Sequence, residues 1–114
     1  MRVGSWKAAT IANAAASSAE VDLGDNFDKL RIFLVALDAT TKVSVQVVEK
    51  AGGTPQNLYI TNPTTGGDVQ VIQGTAGAGA ITWVVPLGGF RFIKIVADNT
   101  QDAERLIRVC GYTP

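Results

Sequence analysis

Runs rich in Val, Ile, Phe and Thr alternate along this chain with clusters of Gly, Asn, Asp, Thr and Pro, and this rhythm most limits what it can fold into. The predicted strands cover 19–23, 29–37, 42–49, 57–61, 68–73, 80–86, 90–97 and 104–110. β-Branched and aromatic residues suit a pleated, half-buried surface, and the intervening clusters supply turn chemistry. No helical period separates the runs, which argues against strands alternating with helices. The pattern predicts an all-β protein, an antiparallel β-sandwich, jelly-roll-like with about eight strands. A total of 114 residues is enough for one such domain and too few for two.

The faces of the strands carry the next inference. In 42–49, Val43, Val45 and Val47 share one side and Lys42, Ser44 and Gln46 the other, as in a sheet with one wet face. The four-residue DATT link to 29–37 predicts that these two runs form a hairpin. Three runs break the alternation. Leu30, Ile32 and Leu34 oppose Phe33, Val35 and Leu37; Ile81, Trp83 and Val85 oppose Thr82 and Val84; Phe90, Phe92 and Val96 oppose Ile93 and Ile95. A sandwich buries one face of each strand. The surplus apolar faces predict phase-shifting bulges, cover from another segment, or contact with a partner.

The first 18 residues differ from the rest. WKAATIANAAASS at 6–18 is alanine-rich and free of acids, and predicts an N-terminal arm before a domain at 19–114. Trp6 makes a docking arm a better reading than a frayed tail, and Ile11 lies on the same arm. With Phe33, Val35, Trp83, Phe90 and Phe92, they are the candidate contacts to other subunits. Two polar loops, 61–68 and 74–79, are where a rigid sandwich would carry binding residues. Tyr59, Asn62, Thr64 and Asp68 are the candidate ligand-facing positions.

Catalysis is poorly provided for. There is no histidine, which removes the commonest general base and a common metal ligand. Cys110 is the sole cysteine, so no intrachain disulfide can form, and its apolar strand suits a small buried hydrophobe better than a nucleophile. The serines lack a GxSxG context. Asp22, Asp25 and Asp28 surround Gly24 and Asn26, but they lack the spacing of an EF-hand and read as turn aspartates. GTAGAGA at 74–80 lacks the Lys-Ser or Lys-Thr of a phosphate loop. No enzyme, no metal site and no cofactor are expected.

Charge and hydropathy narrow the partners. Ten basic and ten acidic residues leave no net field to gather phosphates, so no nucleic-acid partner is expected. Arg105 and Arg108 read as a solvated strand face. No apolar run approaches a membrane span, and Arg2 and Lys7 precede none that would make a secretory leader.

The stretch at 87–112, LGGFRFIKIVADNTQDAERLIRVCGY, resembles small structural proteins of tailed bacteriophages, and 21–47 has a similar character. That resemblance implies a β-sandwich or jelly-roll subunit, often trimeric, that decorates or cements a capsid or builds a fibre or collar. It carries over no catalytic residue. It implies a homotrimer whose other partners are the major capsid protein or further virion proteins, synthesised in the host cytoplasm and resident in the virion. A carbohydrate- or receptor-binding module of a tail fibre or spike is the alternative expectation.

Overall fold

The structure, a computed structural model, describes residues 1–36, 42–61, 66–70, 72–74 and 78–114; for strand residues 35, 36, 60, 61, 68–70, 72–74, 78–81 and 83 it describes the backbone. The described residues contain strands and no helix. These are β1 (Arg2–Val3), β2 (Lys7–Ala8), β3 (Val21–Ala36), β4 (Lys42–Val48), β5 (Gln56–Asn57), β6 (Tyr59–Thr61), β7 (Asp68–Gln70), β8 (Ile72–Gly74), β9 (Ala78–Ala97) and β10 (Ile107–Thr113). All pairings are antiparallel. The main path runs β1-β10-β3-β9-β4-β5, with β2 also on β10 and β8 also on β4; β6 and β7 pair separately.

β3 and β9 form the spine of an antiparallel β-sandwich. They pair from Val21–Ile93 to Ala36–Ala78, and the register shifts between Asp22 and Phe27, between Phe27 and Lys29 and between Leu34 and Ala36. At the first shift β3 carries extra residues around Gly24; at the second β9 carries Leu87, Gly88 and Gly89. Gly24, Gly88 and Gly89 have φ of 91°, 73° and 85°, which residues bearing a Cβ rarely adopt. These clusters were predicted as turns between strands. They are bulges inside two long strands, where the ribbon folds over.

Beyond the fold the ribbon belongs to two layers. In one layer the C-terminal half of β3 lies between β10 and the first half of β9. In the other, β9 residues 92–97 pair with β4. Leu30, Ile32, Leu34, Ile107 and Val109 of the first layer and Val43, Val45, Ile93 and Ile95 of the second share one buried cluster. The bulge also resolves one two-faced run. Phe90 packs against this cluster, while three residues later Ile93 lies within it, so the phase has slipped between them.

Several expectations need correction. The runs 29–37 and 42–49 do not form a hairpin: β9 lies between β3 and β4. The ribbon's fold puts the end of β3 in one layer and β4 in the other, so their short link joins layers (its residues 37–41 lie outside those described). The final strand begins at Ile107, after Asp102 and Arg105 have paired at 2.8 Å. The polar stretch 74–79 is not all loop, since Gly74 ends β8 and Ala78 begins β9.

The N-terminal segment also departs from expectation. Residues 2–11 lie along β10, pairing Arg2 with Thr113, Ala8 with Arg108 and Ile11 with Arg105. Ala9 and Ile11 point into the core and are fully buried. The chain then crosses at Ala12–Ala16, held by Ala14 N–H to Gln101 O and Gln101 N–H to Ala15 O, and joins β9 through Ser18 N–H to Ile95 O. The reason is elementary: an open β10 edge has unmet backbone groups, and a period-two Lys-Ala-Ala-Thr-Ile stretch meets them while burying every second side chain.

Candidate interaction face

The buried side of the β10–β3–β9 layer fixes what its outer side shows. With Leu30, Ile32, Leu34, Ile107 and Val109 turned inward, the alternate residues turn outward. The register then sets out three rows: Arg108, Phe33 and Thr82; Cys110, Arg31 and Val84; Tyr112, Lys29 and Pro86. Trp6, from the segment between β1 and β2, stands against Arg108 of the first row. This is the second apolar face of β3, and its cover is cationic rather than apolar.

Arg108 is held between two rings, its guanidinium carbon 5.7 Å from the Trp6 centroid and 5.3 Å from that of Phe33. Arg31 lies over Tyr112 at 4.5 Å. Such contacts fix the direction of a long side chain and leave the edge of the guanidinium open to hydrogen bonding. Among the described residues, the ion pairs are Arg2–Asp25, Arg91–Asp22 and Arg105–Asp102, so Lys29, Arg31 and Arg108 have no carboxylate partner. The rows contain no acid; Asp28 sits beyond their end, its N–H donating to Thr113 Oγ1 at 3.3 Å. Trp6 is 46% exposed and Val84 55%, so the face also offers apolar surface. Cys110, facing the same way, is nevertheless buried and donates its thiol to Gly4 O at 3.3 Å, the packed role expected of it.

The other candidate contacts are dispersed. Ile11 is a correction: it is sealed in the chain's own core and offers no surface. Phe90 is half-buried against that core, and Phe92 is half-buried with Arg91 over its ring at 5.3 Å. Trp83 is in register with Ile32, and Val35 is near the end of β3; their side chains lie outside those described. Of the candidate ligand positions, Tyr59 is 53% exposed in β6. Asp68 pairs with Thr61 through the backbone, while Asn62 and Thr64 lie outside the described residues.

The aspartates behave as turn residues. Asp22 accepts from Gly24 N–H at 2.8 Å and from Arg91 Nε at 2.7 Å; Asp25 accepts from Asn26 N–H and from Arg2. Hydrogen bonding from Arg91, reinforced by the Gly24 N–H, lowers the Asp22 pKa to about 2.

Sequence reasoning missed one feature, a cleft of about 680 Å³ beside the β4–β5 turn. Val47 and Phe90 line it together with the polar Glu49, Lys50, Thr54 and Gln56. Gly52, at φ 75°, shapes the turn, and its N–H donates to the Glu20 carboxylate at 3.1 and 3.3 Å. The Gly-Gly pair was legible as a turn, but nothing local announced that Phe90 would stand beside it.

No protein-family model matches the chain, and no curated protein does. Solved structures share its fold. The SPBc2 prophage-derived protein YomS aligns at a TM-score of 0.55 and 15% identity, over 97% of this chain and 96% of that one. The K3 cleaved adhesin domain of Lys-gingipain from Porphyromonas gingivalis W83 aligns at 0.50 and 11% identity, over 96% and 72%. At such identities the likeness is one of fold.

Proposed function

We propose that this chain is a structural subunit of a virus particle: a capsid decoration or cement protein of a tailed phage that self-associates, as a trimer, and binds the shell. The observation that carries this reading is the outer face of the β10–β3–β9 layer, where Val84 and Trp6 remain exposed beside cations that have no carboxylate partner among the described residues. Patches of that composition mark surfaces made for contact. The fold shared with the prophage-derived YomS supports the same assignment. On this reading the protein acts by contact alone, with no catalytic step, cofactor, nucleic acid or membrane, and it is made in the host cytoplasm and resides in the virion. The test is to mix the purified protein with capsids of the encoding phage that lack it, then pellet and image them. Ordered density on the shell and an oligomer by light scattering are expected. A monomer at tens of micromolar that stays in the supernatant would overturn the reading.

A second reading, a carbohydrate- or receptor-binding module of a tail fibre or spike, draws on the cleft beside Phe90 and on exposed Tyr59. Polar side chains around an aromatic ring suit a sugar. Specific glycan-array hits that vanish in a folded Gln56→Ala variant would favour it.

A further inference from the structure

The chain carries no net charge, yet its charges are sorted. Asp22, Asp25 and Asp102 are each spent on an arginine, whereas Lys29, Arg31 and Arg108 converge on one sheet face without a carboxylate partner among the described residues. We propose that this face docks onto an acidic protein surface, a patch of Asp and Glu carboxylates on a neighbouring shell subunit, and does not meet a second copy of itself. The inference rests on the shell-binding reading above and names the chemistry of the contact.

Three features of the face select this occupant. First, the two guanidiniums are oriented before any partner arrives, Arg108 by Trp6 and Phe33 and Arg31 by Tyr112. An oriented guanidinium presents parallel N–H groups that match a carboxylate, and less side-chain entropy is lost on binding. Second, a two-fold contact through this face would set its cations against the same cations of the other copy, with no acid in the rows to answer them. Like charges juxtaposed at an interface oppose association. Self-association is therefore left to other surfaces. Third, nucleobases need bare ring faces for stacking, and here a guanidinium already occupies a face of Trp6, Phe33 and Tyr112. With zero net charge there is also no broad field to collect phosphates. Val84, at 55% exposure, supplies apolar area amid the charges.

The experiment measures fluorescence anisotropy of labelled poly-L-glutamate and of labelled oligo-dT of equal charge, with the wild-type chain and Arg31→Glu/Arg108→Glu. The single Arg108→Glu variant, at an exposed position, guards against misfolding, which circular dichroism monitors. Wild type should bind poly-L-glutamate with an affinity that falls as salt rises, and the double variant should lose ~10-fold or more. Oligo-dT should bind more weakly, and the oligomeric state should be unchanged by either variant. Equal poly-L-glutamate binding by wild type and both variants overturns the proposal. So does tighter binding of oligo-dT, which makes this a nucleic-acid face, or loss of self-association in folded Arg108→Glu, which makes it a contact between copies. Co-sedimentation with capsids separates the two readings. If wild type and variants coat shells equally, this face is wrongly assigned and the decoration reading stands. If poly-L-glutamate binds but shells do not, the face stands and the decoration reading falls.

Discussion

The Phe27 ring lies directly against the backbone of Gly111. A Cβ at Gly111 would come within 2.7 Å of Phe27 Cγ, and one at Gly4 within 2.9 Å of Cζ. The ring thus seals the seam where the N-terminal edge, β10 and β3 meet, and the Arg2 guanidinium closes over it at 5.1 Å. Gly111→Ala should therefore be destabilising by about 1–3 kcal/mol, the usual cost of overpacking. Phe27→Ala should cost about 3–5 kcal/mol. Because the clash needs both partners, the double variant should cost clearly less than the sum. Urea denaturation of the four proteins, with unchanged slopes, measures the coupling.

The integration of residues 2–11 makes a second test. Ile11 and Ala9 both belong to the buried core cluster, and their backbone hydrogen-bonds to Arg105 and Ile107. Ile11→Ala should cost about 2–5 kcal/mol, as for other fully buried aliphatic side chains. An exposed arm would show almost no effect. Removing residues 1–11 altogether should also bare the β10 edge, and the truncated chain should aggregate at concentrations where the whole one stays dispersed. Thermal denaturation and light scattering read the two outcomes.

Ala14 is where the crossing segment stores strain. Its φ of 65° is left-handed, and it is the sole non-glycine with positive φ among the described residues. The conformation is enforced by the two backbone hydrogen bonds that tie Ala14 and Ala15 to Gln101. Ala14→Gly relieves the Cβ clash but frees the unfolded chain. The left-handed penalty of about 1–2 kcal/mol exceeds the glycine entropy cost of about 0.5–1 kcal/mol. A net gain of up to about 1 kcal/mol is expected, measured by the urea midpoint. Ala14→Val should move the midpoint the other way.

What could be read in advance divides along the range of the interactions. Local alternation put Val43, Val45 and Val47 on the dry side of their strand, and all three are buried; it gave Leu30, Ile32 and Leu34 a shared face without choosing between the two, and that face is the buried one. It also marked Phe33 as a second apolar face. The identity of its cover was not local: register brings Arg108 opposite Phe33 from 75 positions away in the chain, and Trp6 of the N-terminal segment meets that same guanidinium. The hairpin expectation failed for the same reason, since a four-residue link permits pairing of its flanks but does not compel it. Glycines at Gly24, Gly88 and Gly89 announced irregular backbone. Whether such a glycine ends a strand or bends it depends on a partner strand carrying a matching irregularity, which only the paired ribbon reveals. Ile11, expected at a contact with another subunit, is buried in the core, where Ala9 and Ile11 keep the period of a strand.

The Asp22–Arg91 pair gives a pH signature. Asp22 titrates near 2 in the folded chain instead of the usual 3.8, because Arg91 and the Gly24 N–H hold its charged form. The lowered value means that the folded state binds this proton less readily than the unfolded state. Its contribution to stability is thus complete above about pH 4 and is lost as pH falls toward 2. Both side chains are about half exposed, so the effect is modest and salt screens it. Asp22→Asn should lower stability at neutral pH and flatten the fall between pH 4 and 2, bringing the two proteins together at the acid end. Added salt at ~1 M should shrink the difference at neutral pH. Urea midpoints at half-unit pH steps test this; parallel curves across the whole window would show that the pair does not couple folding to this proton.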